Sequence, residues 1–256
     1  MKNLKRIILF DSLFCIAAIS AFSQAPLFSY QKYIDGKDTL QYRQLVPDYD
    51  TLRKYPLVVF LHGSGERGRD NEAQLKWGVM NFAVDQTMMK YPAYVIAPQC
   101  PASQTWSNFS RKKNSREMYL ENKASRPMEM VVALINKLMK ELRIDKNRIY
   151  ITGLSMGGFG TFDALERYPN LFAAAVPVCG GGDISKAESI ARIPIWVYHG
   201  AEDTAVDPLL SLDMVQALTK AGAHPGFTQY PESGHFSWLG AYSDPLMIEW
   251  LFRQHK

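Results

Sequence analysis

Cysteine is scarce in this chain: three in 256 residues, at positions 15, 100 and 179. They are too far apart for the closely spaced pairs of a thiolate metal centre. Excess charge of one sign is also missing. With 29 basic and 25 acidic residues the net charge is +4, too little for the strongly basic face that nucleic acid demands. Beyond the N-terminus no apolar run is long enough to cross a bilayer. There is no repeat, no low-complexity tract and no linker, so one domain over residues 24–256 is the simplest organisation. The Lys-Ser/Thr of a phosphate-binding loop is absent, which makes a nucleotide reading poor. What remains is the composition of an ordinary globular protein, 47% hydrophobic, 12% aromatic and 21% charged.

Residues 1–23 read as a secretory signal. Lys2, Lys5 and Arg6 form a charged head, an apolar run follows, and Ala21-Phe22-Ser23 places small residues for cleavage before Gln24. Asp11 is out of character inside that run. The rival reading is an uncleaved anchor, but the run is short for a spanning helix. The segment holds three of the 29 basic and one of the 25 acidic residues, so the remainder keeps +2. The reading places the protein outside the cytoplasm, secreted or periplasmic, with no stable membrane insertion after cleavage.

The stretch 27–47 alternates loosely around Asp35-Gly36 and predicts a β-hairpin. Then come short, nearly continuous apolar runs, "LVVFLHG", "AYVIAPQ", "RIYITG", "FAAAVPVCG" and "IPIWVYHG", each ending at Gly or Pro. Such runs suit strands buried on both faces of a parallel sheet. "AHPGFTQYP" predicts one more strand. Helices are expected between them over roughly 71–90, 127–142, 157–168, 208–221 and 245–253, punctuated by Pro92, Pro169 and Gly222. Alternation of strand and helix predicts an α/β fold, a three-layer α/β/α sandwich around a mostly parallel sheet. The polar stretch 103–126 breaks the rhythm. Its plainer reading is a surface excursion; the sharper one is that Trp106 or a neighbour overhangs an active site. Arg111-Lys112-Lys113 reads as a solvated face.

Gly153-Leu154-Ser155-Met156-Gly157 matches G-x-S-x-G. By chance that pattern arises in roughly one chain in ten of this length, at about 7% each for Gly and Ser. Its context is what gives it weight: a buried strand runs into it and a helix leaves it. A serine at such a turn is lifted off the sheet in a sparsely allowed backbone region, with glycines letting neighbouring chain pass close. It also sits at a helix N-terminus, which favours developing negative charge.

A serine hydroxyl needs a base, and the base needs an acid to fix its tautomer. Of the five histidines, His255 is terminal, His62 and His199 read as turn residues at strand ends, and His224 precedes a strand. His235, in "PESGHFSW" after the last strand, is the best base. "YHGAEDTAVDP" offers Glu202, Asp203 and Asp207. Asp207 followed by Pro208 reads as a helix cap. Asp203 is the favoured acid, with Glu202 and Asp183 as rivals. An oxyanion needs two backbone donors. The Met156 N–H is one; in "FLHGSGERG" the Ser64 N–H is the second, with Gly65 next. Gly65 and Trp106 are also weak candidates for touching substrate.

The motifs "LHGSGERGRDNEAQL", "APQCP", "ITGLSMGGFGTFDAL", "FAAAVPVCGGGD", "PIWVYHGAEDTAVDP" and "YPESGHFSWLGAYSD" together resemble the α/β-hydrolase superfamily. They are most similar to secreted bacterial esterases of the dienelactone hydrolase and polyhydroxybutyrate depolymerase-like branch. The resemblance runs from about Gln41 to Trp250. It implies Ser155, Asp203 and His235 as the triad and an oxyanion contribution from the 62–65 loop. It also implies that the strands ending at Cys100 and Cys179 lie three sheet positions apart. At about 4.8 Å per position that is about 14 Å, beyond the roughly 7 Å that a disulfide tolerates.

The chain therefore reads as a secreted serine hydrolase of carboxylic esters that needs no metal or organic cofactor. Its expected partner is a small-molecule or polysaccharide-linked ester such as an acetyl or feruloyl group, and no nucleic acid. The rival enzyme is a serine peptidase of the prolyl-oligopeptidase-like type. A rival of another class is a non-catalytic binding protein on a hydrolase fold.

Overall fold

The apolar runs sort their side chains onto two faces. Along one strand, Tyr55–Leu61, residues Leu57, Val59 and Leu61 enter one core and Val58 and Phe60 the other. That division requires cover on both sides of a sheet, and the chain supplies it. The computed structural model describes residues 27–47, 50 and 52–256. The segment read as a signal, 1–23, lies outside the described residues.

Among the described residues ten strands are formed: β1 (Ser29–Asp35), β2 (Asp38–Leu45), β3 (Tyr55–Leu61), β4 (Tyr94–Pro98), β5 (Phe109–Arg111), β6 (Met118–Leu120), β7 (Ile144–Leu154), β8 (Ala174–Val178), β9 (Trp196–Gly200) and β10 (Gly226–Tyr230). Eight of them make one sheet in the order β1-β2-β4-β3-β7-β8-β9-β10. The hairpin β1–β2 is antiparallel, turns at Gly36 (φ +62°) and joins β4 antiparallel; every pairing from β4 to β10 is parallel. Helices cover both faces: α1 (Asp85–Lys90), α2 (Arg126–Glu141), α3 (Met156–Arg167), α4 (Ala187–Ile190), α5 (Leu209–Lys220), α6 (Trp238–Ser243) and α7 (Pro245–Arg253). One core holds Val131 and Leu134 of α2, Phe162 of α3 and Met214 of α5; the other holds Tyr242 of α6 and Met247 and Leu251 of α7. This is the mostly parallel α/β/α sandwich with an N-terminal hairpin that the sequence predicts.

Helix starts follow the local chemistry. Leu209 N donates to Asp207 Oδ1, Leu246 N to Asp244 Oδ1 and Met128 N to Ser125 Oγ, with a proline in each first turn. Asp207 thus does the capping work expected of it. Gly222, with φ +85°, lies just past α5.

Two expectations need correction. The helix expected over 71–90 forms only as α1; before it run short 3-10 turns. Asn71 (φ 56°) and Gly78 (φ 74°) are left-handed, which an α-helix excludes. At Gly78 a side chain would collide with the Tyr242 ring, so the backbone takes the conformation that glycine permits. The second correction concerns Trp106. It is fully buried, donates from Nε1 to His62 O at 3.0 Å and meets the His62 ring edge-on. A Cβ at Gly160 would come within 2.5 Å of Trp106 Cβ, so α3 sits directly on this residue. Trp106 anchors the 103–126 excursion to the core and has no surface for substrate. The excursion itself carries the β5–β6 hairpin.

Cys100 and Cys179 are both buried and free, on strand ends three positions apart in the sheet. Among the described residues no helix is long and apolar enough to cross a membrane.

Candidate active site

β7 ends at Leu154 and α3 begins at Met156, leaving one residue, Ser155, to make the turn. It does so at φ 53°, ψ −116°, a strained region for a side-chain-bearing residue. The strain is held by its surroundings. Ser155 N donates to Val178 O at 2.9 Å, and Phe159 N reaches back to Ser155 O at 3.1 Å. Gly157 has no room for a Cβ, which would fall on the Leu61 carbonyl of β3. The glycines that open the helix therefore let the turn press onto β3 while Ser155 Oγ remains half-exposed.

His235 Nε2 lies 2.9 Å from Ser155 Oγ, and His235 Nδ1 lies 2.7 Å from Asp203 Oδ2. The two loops carrying these residues are tied by backbone: Glu202 N donates to Ser233 O and Ala201 N to Tyr230 O, each at 2.9 Å. Asp203 Oδ1 accepts from Ala205 N and Val206 N at 2.9 Å. Burial opposes ionisation of Asp203. The hydrogen bonds from Val206, His235 and Ala205 outweigh it and hold the carboxyl below its ordinary value. Asp203 is thus an oriented carboxylate and His235 a ring with one nitrogen facing a hydroxyl, an arrangement able to draw the proton from Ser155.

The rival residues are engaged elsewhere. Glu202 is exposed. Asp183 Oδ1 caps a 3-10 turn through Ser185 N, and its Oδ2 accepts from Leu120 N of β6. His224 and His255 are exposed. His62 bonds Gly63 O through Nδ1 at 2.6 Å and accepts from Cys100 N at Nε2; burial pushes it down to about 4, so the ring is neutral. It shapes the turn after β3, as expected.

Met156 N is the first N–H of α3, left without an intrahelical acceptor by helix geometry. The 62–65 loop packs on Leu154, two residues before Met156: a Cβ on Gly63 would lie 2.8 Å from Leu154 Cδ1. Ser64 and Gly65 are exposed at its tip. Glu66 closes the loop and is buried. Burial raises its carboxyl, opposed by Lys76 and by a hydrogen bond from Trp77.

Sequence reasoning missed an aromatic wall beside His235. Trp238 meets the His235 ring edge-on at 4.9 Å between centroids, Phe236 packs on Trp238 at 4.7 Å, and Trp77 meets Phe236 at 5.8 Å. Phe236 and Leu239 remain exposed. The signal was the run "HFSWL" itself, whose apolar residues directly follow the proposed base. The role of His199 was also missed: Nε2 lies 3.2 Å from Asp203 Oδ2. Donor atoms of Cys179, His199 and Asp203 lie within 4.8 Å of one another. Each is already hydrogen-bonded, Cys179 Sγ to Ser237 Oγ, so the cluster reads as a polar network.

Residues 50–242 match the phospholipase/carboxylesterase family. The chain belongs to that family. It is 35% identical over 80 residues to a bifunctional acetylxylan esterase/xylanase of Neocallimastix patriciarum, covering 31% of this chain and 12% of the relative. It is 28% identical over 249 residues to poly(3-hydroxyalkanoate) depolymerase C of Paucimonas lemoignei, covering 85% of this chain and 56% of the relative. The solved structure of a thermostable esterase superposes with a TM-score of 0.83 at 41% identity, over 90% of this chain and 64% of that one. The chain thus spans less than two thirds of each of these three proteins.

Proposed function

We propose that the chain is a secreted serine hydrolase that cleaves carboxylic esters through an acyl-enzyme on Ser155. The observation carrying this reading is the unbroken relay from Ser155 Oγ through His235 to Asp203, at 2.9 and 2.7 Å. His235 takes the hydroxyl proton as Oγ attacks the ester carbonyl. Asp203 fixes the Nδ1–H tautomer and stabilises the imidazolium that forms. The carbonyl oxygen becomes an oxyanion, which the N–H of Met156 and the N–H of Ser64 receive, each contributing about 2.7–4 kcal/mol. His235 returns its proton to the departing alcohol. Water, activated by the same ring, then releases the acid and restores Ser155.

Substrates are proposed to be acetyl or feruloyl esters of carbohydrate. Support comes from the acetylxylan esterase relative and from the exposed Phe236 beside the base, a flat apolar surface for a planar acyl group or a sugar ring. Gly65, at the open tip of the oxyanion loop, leaves the approach unobstructed. The signal reading adds export, with the mature chain starting at Gln24; N-terminal sequencing of the exported protein checks that point.

A fluorophosphonate probe tests the reaction class. Labelling at Ser155 is expected; an unlabelled, folded protein would make the chain a binder. A panel of acetyl, butyryl, feruloyl and peptide substrates tests the class of bond. Turnover of acetyl and feruloyl esters is expected, and faster turnover of peptides would overturn the esterase reading.

A further inference from the structure

Four nitrogens lie within 3.2 Å of the Asp203 carboxylate oxygens. Three are described above: Ala205 N, Val206 N and His235 Nδ1. The fourth is His199 Nε2, 3.2 Å from Oδ2, the same oxygen that His235 uses. His199 Nε2 also lies 3.1 Å from Val206 O. At the other side of the ring, His199 Nδ1 is 2.7 Å from Ser211 Oγ, which is itself 2.9 Å from Gly180 O. His199 in β9 and Ser211 in α5 are both fully buried.

These contacts fix the tautomer. Nε2 faces two acceptors, Asp203 Oδ2 and Val206 O, so an Nε2 lone pair there would be repelled twice. The proton therefore sits on Nε2, while the single Ser211 hydroxyl proton lies between two acceptors, Gly180 O and His199 Nδ1. Burial lowers the affinity of the ring for a second proton, more than Val206 and Asp203 raise it. His199 is a neutral donor to the acid of the relay.

We propose that His199 is a positioning residue that sets how much negative charge Asp203 presents to His235, with Ser211 Oγ, 2.7 Å from Nδ1, holding the ring in place. The proposal rests on the Ser155–His235–Asp203 reading. Two consequences follow. The Nε2–H holds Oδ2 in place when the His235 ring moves to pass its proton. It also occupies part of the charge on Oδ2. Without it, Oδ2 would stabilise the His235 imidazolium more strongly, and the neutral base would be available only at higher pH. The acid limb of the kcat/KM profile would move up.

The other titratable groups facing this cluster do not obscure that readout. Cys179, at the end of β8, has its thiol pushed up to about 12 by burial. Glu202 and Glu232 lie exposed on the Asp203 and His235 loops.

The test measures kcat/KM for an acetyl ester, and the rate of fluorophosphonate labelling, across pH for wild type, His199→Phe, Ser211→Ala and His199→Gln. His199→Phe keeps a ring in the buried space and removes the donor. It is expected to lower kcat/KM roughly 10- to 100-fold. It should also move the acid limb up by roughly half a pH unit. Ser211→Ala should move the limb the same way by less. His199→Gln, which restores an N–H near the Nε2 position, should return most of the activity. Activity lost in folded His199→Phe with the acid limb unmoved in both it and Ser211→Ala would overturn the proposal and leave His199 a packing residue. If His199→Phe fails to fold, the limb of Ser211→Ala alone decides. The two readings fail separately: wild type unlabelled at Ser155 sinks the triad, whereas labelled Ser155 with an unmoved limb sinks only the role of His199.

Discussion

Buried acids lie near both ends of helix α3, one on a neighbouring loop and two on the helix itself, and the two ends treat them differently. Near its N-terminus, Asp203 accepts from Ala205 N, Val206 N and His235, with His199 Nε2 3.2 Å away, and is held as a carboxylate, its affinity for a proton lowered. Toward its C-terminus lie Asp163 and Glu166, both within the helix and both raised by burial. Asp163 is paired with Arg167 Nε at 2.8 Å and accepts from Asn108 N. Glu166 has one donor, Asp183 N on Oε1, and its Oε2 has no partner among the described residues. Burial alone therefore does not make an acid useful. The number and direction of donors decide whether a buried carboxyl is a reactive charge, a tether or a proton-bearing filler.

The largest expected effect removes what the N-terminal end serves. Ser155→Ala should lower kcat about 10⁶-fold and abolish fluorophosphonate labelling, with circular dichroism unchanged. Residual turnover close to wild type would end the assignment. Asp203→Asn should cost about 10⁴-fold in kcat. The amide oxygen can still accept from Ala205 and Val206, so melting temperature should move little. The amide NH₂ would face the N–H groups of both His235 and His199, and the base would be driven to the wrong tautomer. A loss below tenfold would show that Asp203 is no more functional than Glu166. On the acid side, activity should fall as pH drops, because a protonated His235 cannot accept the serine proton.

The two ends also differ in how far the sequence reveals them. At the N-terminal end the signals are local: an apolar strand, a glycine-serine turn and a helix within a few residues. Asp207-Pro208 and Asp244-Pro245 announce helix starts in the same way. The strands were readable because burial on both faces leaves an unbroken apolar run. The failures are all long-range. Asn71 looks like a helix start, but its side chain is drawn to Gln31 O and Tyr42 O on the hairpin. The left-handed turn at Gly78 follows from the Tyr242 ring of α6. The depth of Trp106 is set by Gly160 and His62, which no neighbouring residue indicates. His199 read as a turn residue because its partner Ser211 lies on another element, although its four-residue spacing from Asp203 was visible.

Smaller effects sharpen the contrast at the C-terminal end. Asp163→Asn leaves Arg167 without its charge partner, with the arginine side chain only 8% exposed. Breaking a buried pair from one side costs about 3–5 kcal/mol. The variant should lose that much stability in urea unfolding, while kcat per folded molecule stays within about twofold. A kcat loss comparable to that of Asp203→Asn would dissolve the distinction between tether and reactive charge.

The smallest effect is expected at Glu166. Its folded carboxyl holds a proton more tightly than in the unfolded chain, well above the usual carboxylate range, because burial dominates. The folded state then binds more protons than the unfolded one between the two values, so stability falls as pH rises through that window. The contribution is fully present below the unfolded value and lost as pH passes the folded one. Asp203 has the opposite sign: its contribution is present above the ordinary carboxylate value and lost as pH falls through the lowered one. Glu166→Gln keeps the shape of the protonated acid and removes the titration. Its melting temperature relative to wild type should therefore rise as pH climbs above the ordinary carboxylate range, with little change in kcat. A constant difference over that climb would mean that Glu166 is ionised in the folded protein, and that the unpartnered Oε2 carries a charge rather than completing a neutral acid.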